Sequence, residues 1–149
     1  MESVLISIQP KWCELIASRK KTIEVRKSAP KLETPFRVYI YCTISGGIKG
    51  DYLPDSGLVC GKVIGEFICD RIEDFTTDYR RDNTQIDRII EESCLNFDEL
   101  ARYDNGKCLY GWHISDLKIY DKPKELGEFK NLKGEPIKNA YQSWGYINE

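Results

Sequence analysis

The sequence is poor in several things. It holds one histidine and one methionine in 149 residues, and its six cysteines, at positions 13, 42, 60, 69, 94 and 108, form no CxxC pair. That dispersal offers no zinc-ligand spacing, so no metal and no cofactor is expected. No stretch approaches the roughly 20 apolar residues of a membrane span. The opening MESVLISIQPKW has no basic region ahead of a long apolar run, so neither a secretory signal nor a membrane segment is read there. Internal repeats, low-complexity tracts and linkers are lacking too, which argues for a single domain over 1–149. There is no large excess of either charge: 22 Lys/Arg stand against 24 Asp/Glu, a net of −2, which argues against a protein that coats DNA.

What is present describes an ordinary globular chain. Hydrophobic residues make up 41% and charged residues 31%, with the signs interspersed. A chain of this length buries roughly two-thirds of its unfolded surface and needs no staple. The cysteines sit mostly among apolar neighbours and read as buried free thiols in a reducing compartment, which points to the cytoplasm. Charge is unevenly placed. Residues 1–49 carry nine Lys/Arg against four Asp/Glu, and residues 50–149 carry thirteen against twenty. The cations gather at Arg19-Lys20-Lys21 and Arg26-Lys27, a local basic patch suited to a small or localised anionic ligand.

Ser3–Ile8 reads as a buried strand that runs into a helix opened by Pro10, with Trp12, Leu15 and Ile16 on its apolar side and an end near Arg19. Thr22–Arg26 alternates, with Ile23 and Val25 on one face and Thr22, Glu24 and Arg26 on the other. Phe36–Cys42 alternates likewise, placing Phe36, Val38, Ile40 and Cys42 inward and Arg37, Tyr39 and Tyr41 outward or towards a second surface. A glycine-rich loop is expected over 43–56, and a strand bent at Gly61 and Gly65 over Leu58–Cys69. A helix from Asn83 to about Tyr103 follows, broken near Asn96, and then strands at Leu109–Tyr120 and around Trp144–Ile147. Alternating strands with few helices predict an α+β fold, a mixed and mainly antiparallel β-barrel capped by helices, over a doubly wound sheet.

The segment that carries chemistry is Ser18–Arg26. Strand alternation puts Thr22, Glu24 and Arg26 on one side, about 6 to 7 Å apart, with Lys21 at the junction beside them. A hydroxyl, a carboxylate and two cations sharing one surface can hold a phosphate and a base edge, or shift the pKa values of Lys21 and Glu24 for proton transfer. The same stripe is also what a solvated ion-pair ladder looks like.

The run SVLISIQPKWCELIASRKKTIEVRK resembles the opening of ASCH domains, a branch of the PUA-like superfamily, in which a strand ending in Ser-Ile-x-Pro leads through a helix into Gly-x-Lys-x-x-Glu-x-Arg. Lys21, Glu24 and Arg26 match that motif in register, and Arg19 stands where the family has glycine. Ala140–Tyr146 is similar to the Pro-Gln-Ser-aromatic ending of small bacterial and phage members, with Tyr141 in place of the proline. Val63–Phe67 is similar to a family barrel strand. The resemblance implies a PUA-like barrel with Lys21, Glu24 and Arg26 lining a cleft beside the first helix. It also implies RNA binding, with some enzymes in the family. One of these is an amidohydrolase of acetylated cytidine whose lysine activates a threonine three positions later. Here Glu24 holds that position and Thr22 follows Lys21 directly, which argues against that chemistry.

The leading expectation is an RNA- or nucleotide-binding module with Ser7, Gln9, Lys20, Lys21, Thr22, Glu24, Arg26, Tyr41, Gln142 and Ser143 at its ligand. Ser7 and Gln9 flank the first helix's N-terminus, where anions are favoured, although helix capping also explains Gln9. Tyr41 is the preferred stacking face among Trp12, Tyr39, Tyr41, Trp112 and Trp144, and core packing is the competing reading for Trp12. Gln142 and Ser143 read as cleft rim or as turn. A small hydrolase with Lys21 and Glu24 as catalytic groups, acting on a modified nucleoside or RNA phosphodiester, is the rival. A phage-type protein that sequesters a nucleotide signal or meets a host protein is the third. Glu66 faces either cleft or solvent, and His113 reads as a satisfied structural residue. The cluster Arg80-Arg81-Asp82 reads as a solvated approach to the helix.

Overall fold

The unbroken apolar run at the N-terminus forms the strand β1 (Glu2–Ile8), buried at every residue after Glu2, as expected of a strand with neighbours on both sides and covered faces. The computed structural model describes residues 2–44, 57–75, 83–104 and 109–148, with the side chains of 83–85 and 104 excepted. Most of the loop expected over 43–56, the Arg80-Arg81-Asp82 cluster and Cys108 lie outside the described residues.

After β1 come α1 (Pro10–Ala17), β2 (Ile23–Arg26), β3 (Phe36–Cys42), β4 (Lys62–Asp74), α2 (Asn83–Ser93), α3 (Phe97–Asp104), β5 (Tyr110–Lys124), a 3-10 turn at Leu126–Glu128, and β6 (Trp144–Asn148). The strands form one sheet in the order β2-β5-β4-β3-β1-β6. The pair β1 and β3 is parallel, with α1 and β2 in the crossover, and the other neighbours are antiparallel. The fold is α+β, as the strand alternation predicts.

The sheet is curled into a half-barrel. Three strands separate β5 from β6 in the sheet order, yet Trp112 of β5 and Trp144 of β6 meet with ring centroids 5.5 Å apart. Both indole N–H groups donate to Ser28, one to its carbonyl at 3.2 Å and one to its hydroxyl at 3.0 Å. Part of the curvature comes from Gly65. A Cβ there would stand 2.4 Å from the Lys118 carbonyl oxygen, so only glycine lets β4 and β5 approach so closely. Both neighbours of β4 shift register beside this point.

Three apolar layers result. Inside the curl lie Val4, Ile6, Ile8, Phe36, Val38, Ile40, Phe67 and Trp112. Ile23 and Val25 of β2 face the other way, under Ile86, Ile89 and Leu100 of the two later helices. Leu5, Tyr39, Tyr41 and Val63 form a third cluster, covered by Phe129, Ile137 and Tyr141 of the tail. The expected helix break is real. Asn96 accepts the Glu99 N–H at 2.8 Å and the Glu99 carboxylate accepts the Asn96 N–H at 3.1 Å, a reciprocal cap that restarts the chain as α3. The long strands run further than the apolar pattern predicts, to Asp74 and Lys124, because their outer ends pair with partner backbone and need no buried side chains.

Candidate functional site

The site begins with the turn from α1 into β2. Lys20 N–H reaches the Leu15 carbonyl at 3.0 Å and Arg19 N–H reaches the Ile16 carbonyl at 2.9 Å, the paired bonds of a Schellman motif. Arg19, which replaces the family glycine, keeps the left-handed conformation that the motif requires, with φ 66°. The tight turn therefore survives the substitution at a steric cost. It delivers Lys21 beneath the helix and into the protein interior.

Lys21 is 2% exposed. Its Nζ donates to the Ser93 carbonyl at 2.5 Å, lies 3.3 Å from Glu24 Oε1, and stands 5.2 Å from the centroid of Trp12. The ammonium thus sits at the C-terminus of α2, where the helix dipole favours a cation. Glu24 Oε2 accepts from Arg26 Nε at 3.1 Å and Nη2 at 2.7 Å. Burial pushes the Glu24 carboxyl up, but Lys21 and Arg26 outweigh it and hold its pKa below the ordinary value. Arg26 spends its remaining donors on the Ser7 carbonyl at 2.8 Å and the Ser143 hydroxyl at 3.0 Å. The three ionic side chains converge in a sheltered place, but as a neutralising network in which each already has partners.

A cleft of about 700 Å³ opens above this network. Ser7, Gln9 and Trp12 line one side, and Lys21, Glu24, Val25 and Arg26 the floor. Leu95, Glu99, Arg102 and Tyr103 form the opposite wall, with Thr43 and Gln142 completing the rim. The Tyr103 hydroxyl is pushed up by burial, with the positive field of Arg26 working against it. At the start of α1, Pro10 has no N–H, and the N–H groups of Trp12 and Cys13 both return to the Gln9 carbonyl at 3.0 Å, so little of an anion site is left there.

Of the residues expected at the ligand, Ser7, Gln9, Lys21, Glu24, Arg26 and Gln142 line this cleft, and Ser143 stands behind it through Arg26. Lys20 and Thr22 are exposed and do not line it. The regular strand starts only at Ile23, so the alternation that would bring Thr22 inward does not reach it. Thr22 instead gives its N–H to the Glu92 carbonyl at 2.8 Å. The reading of Tyr41 as a stacking face is corrected. It is 8% exposed and lies on the far side of the sheet, in the layer sealed by the tail. Glu66 lies there too, paired with Arg37 and accepting from Tyr120 at 3.1 Å. His113 pairs with Glu73, away from the cleft. The sequence reasoning missed Thr43, Glu99, Arg102 and Tyr103. The only signal for the last three is their shared spacing on one face of a short helix. Among the described residues, no group of three or more His, Cys, Asp or Glu could hold a metal.

No protein-family model and no curated protein sequence matches this chain. Solved structures do. The crystal structure of ASCH from Zymomonas mobilis superposes with a TM-score of 0.68 over 99% of this chain and 88% of that one, at 21% identity. The chain has the ASCH fold. A tyrosine-to-phenylalanine variant of the Zymomonas protein gives 0.67 at 20% identity over 99% and 91% of the two chains. A serine-to-alanine variant gives 0.69 at 21% identity over 99% and 89%. On the ASCH fold of this chain, the Lys-x-x-Glu-x-Arg motif runs from the turn after α1, which holds Lys21, into the short edge strand β2, which holds Glu24 and Arg26.

Proposed function

We propose that the cleft binds a nucleobase-bearing ligand, a nucleotide or a short single-stranded stretch of RNA. The observation that carries this reading is the lining itself. Two aromatic side chains, Trp12 and Tyr103, share a cleft of about 700 Å³ with the guanidinium of Arg102, a size usual for small-ligand sites and a residue set suited to stacking a base beside a phosphate. Three cations line the cleft, Lys21, Arg26 and Arg102, against the carboxylates of Glu24 and Glu99, which leaves it mildly positive. The resemblance to ASCH domains supports an RNA-type ligand.

Binding is favoured over hydrolysis. A general base must be free to take a proton at the working pH, whereas Glu24 is held ionised by two cations and both of its oxygens are engaged. The test is calorimetric titration of the wild type, Trp12→Ala and Tyr103→Ala with the four ribonucleoside monophosphates and with homopolymeric RNA hexamers. Stacking is worth about 1–3 kcal/mol per base, so each variant is expected to bind roughly 5- to 150-fold more weakly. Wild-type protein that binds none of these ligands, or variants of unchanged affinity, would overturn the reading.

A further inference from the structure

The charged floor of the cleft is satisfied from within. Lys21, Glu24 and Arg26 bond to one another, to the Ser93 and Ser7 carbonyls and to the Ser143 hydroxyl. The groups left unengaged at the rim are neutral. Gln9 makes no capping bond with its side chain, although it stands at the N-cap of α1. Thr43 Oγ1 is buried and has no hydrogen-bond partner. Gln142 lines the cleft and its carboxamide bonds to no described residue. The three come together because Thr43 N–H pairs with the Ile8 carbonyl at 2.9 Å, one residue before Gln9, and Ser143, next to Gln142, accepts the Ser7 N–H at 2.8 Å.

A buried hydroxyl without a partner carries an unreturned desolvation cost, and such groups are few enough that each calls for a partner or a role. Thr43 lines the cleft, and its hydroxyl turns about χ1. A carboxamide presents a donor and an acceptor side by side, which is the pattern of a base edge and not of a phosphate.

We infer that Gln9, Thr43 and Gln142 read the hydrogen-bonding edge of the base, while Lys21, Glu24 and Arg26 hold the fold that positions them. This rests on the nucleobase-binding reading above. The ligand class is a base with adjacent donor and acceptor atoms on one edge, and phosphate is left to Arg102 at the outer wall.

The experiment titrates AMP, GMP, CMP, UMP, the matching RNA hexamers and ribose 5-phosphate against wild type, Gln9→Leu, Thr43→Val and Gln142→Leu, with melting temperatures recorded for all four proteins. Wild type is expected to prefer one base at least tenfold over ribose 5-phosphate and over the least favoured base. Each variant is expected to lose about tenfold for the preferred ligand, equivalent to about 1.4 kcal/mol, with ribose 5-phosphate unaffected. Thr43→Val is expected to melt no lower than wild type, because it removes an unpaired buried hydroxyl without changing shape. Variants that keep the wild-type preference would overturn this assignment and leave nucleobase binding standing. Wild type that binds no nucleotide or RNA better than ribose 5-phosphate would overturn both.

Discussion

The ammonium of Lys21 and the carbonyl of Ser93, 72 residues apart in sequence, meet at 2.5 Å. This bond ties the ASCH motif strand to the C-terminus of α2, and so to the helical wall of the cleft. Replacing Lys21 with methionine would leave a buried carbonyl unpaired and remove one of the two cations on Glu24. The expected cost is about 3 kcal/mol in urea denaturation, in the range for breaking a buried ionic contact. A loss under about 1 kcal/mol would show that Lys21 serves the ligand and not the fold.

Arg19 supplies a stabilising change. It holds φ 66° at the C-terminal turn of α1, a conformation that costs a side-chain-bearing residue about 1 kcal/mol or more. Its guanidinium returns only a long bond of 3.5 Å to the Leu117 carbonyl. Arg19→Gly is expected to stabilise the protein by about 1 kcal/mol, a rise of about 2–4 °C in melting temperature. An unchanged or lower melting point would refute the strain argument.

Acid stability follows from Glu24 and Glu73. Burial raises both carboxyls, but Lys21 and Arg26 around the first, and Arg88 and His113 around the second, bring both below the ordinary value of 4.5. A carboxyl lowered in the folded state contributes stability that is present above its unfolded pKa and is lost as pH falls through the folded one. Folding free energy is therefore expected to decline below about pH 4.5, with a shallower decline in Glu24→Gln. Identical slopes for the two proteins between pH 5 and pH 2 would rule out Glu24 as a source.

Tyr41 separates core from cleft. Truncation to alanine should cost about 3 kcal/mol or more, because the side chain is buried beneath the tail. Ligand affinity of the folded protein should be unchanged. Weaker binding at a temperature where the variant is fully folded, judged by circular dichroism, would return Tyr41 to the site.

The motif was legible because its geometry is local. Two residues of strand carry Glu24 and Arg26 to the same face whatever the rest of the chain does, and the succession of strands and helices along the chain followed from alternation and turn residues. The far wall was not legible, since nothing local to Glu99, Arg102 or Tyr103 says which face of α3 meets the sheet. That depends on Leu100 docking over Ile23 and Val25. Alternation put Tyr41 on the face opposite Ile40 and Cys42, outward or on a second surface. It could not show what lies over that surface, because the covering residues Phe129, Ile137 and Tyr141 belong to an irregular segment with no period to read. The resemblance named the ionic trio, but only coordinates show that each of its charges is already answered.

Side chains fasten the half-barrel, the Arg26 guanidinium on one side of the opening and the Ser28–Trp144 bond on the other. The end strands β2 and β6 share no backbone ladder, and Arg26 spans from one rim to the other through Ser7 and Ser143. The hoop is latched by side chains and not welded along a seam. None of these ties belongs to the ladder, so the strand pairings of the sheet do not depend on them.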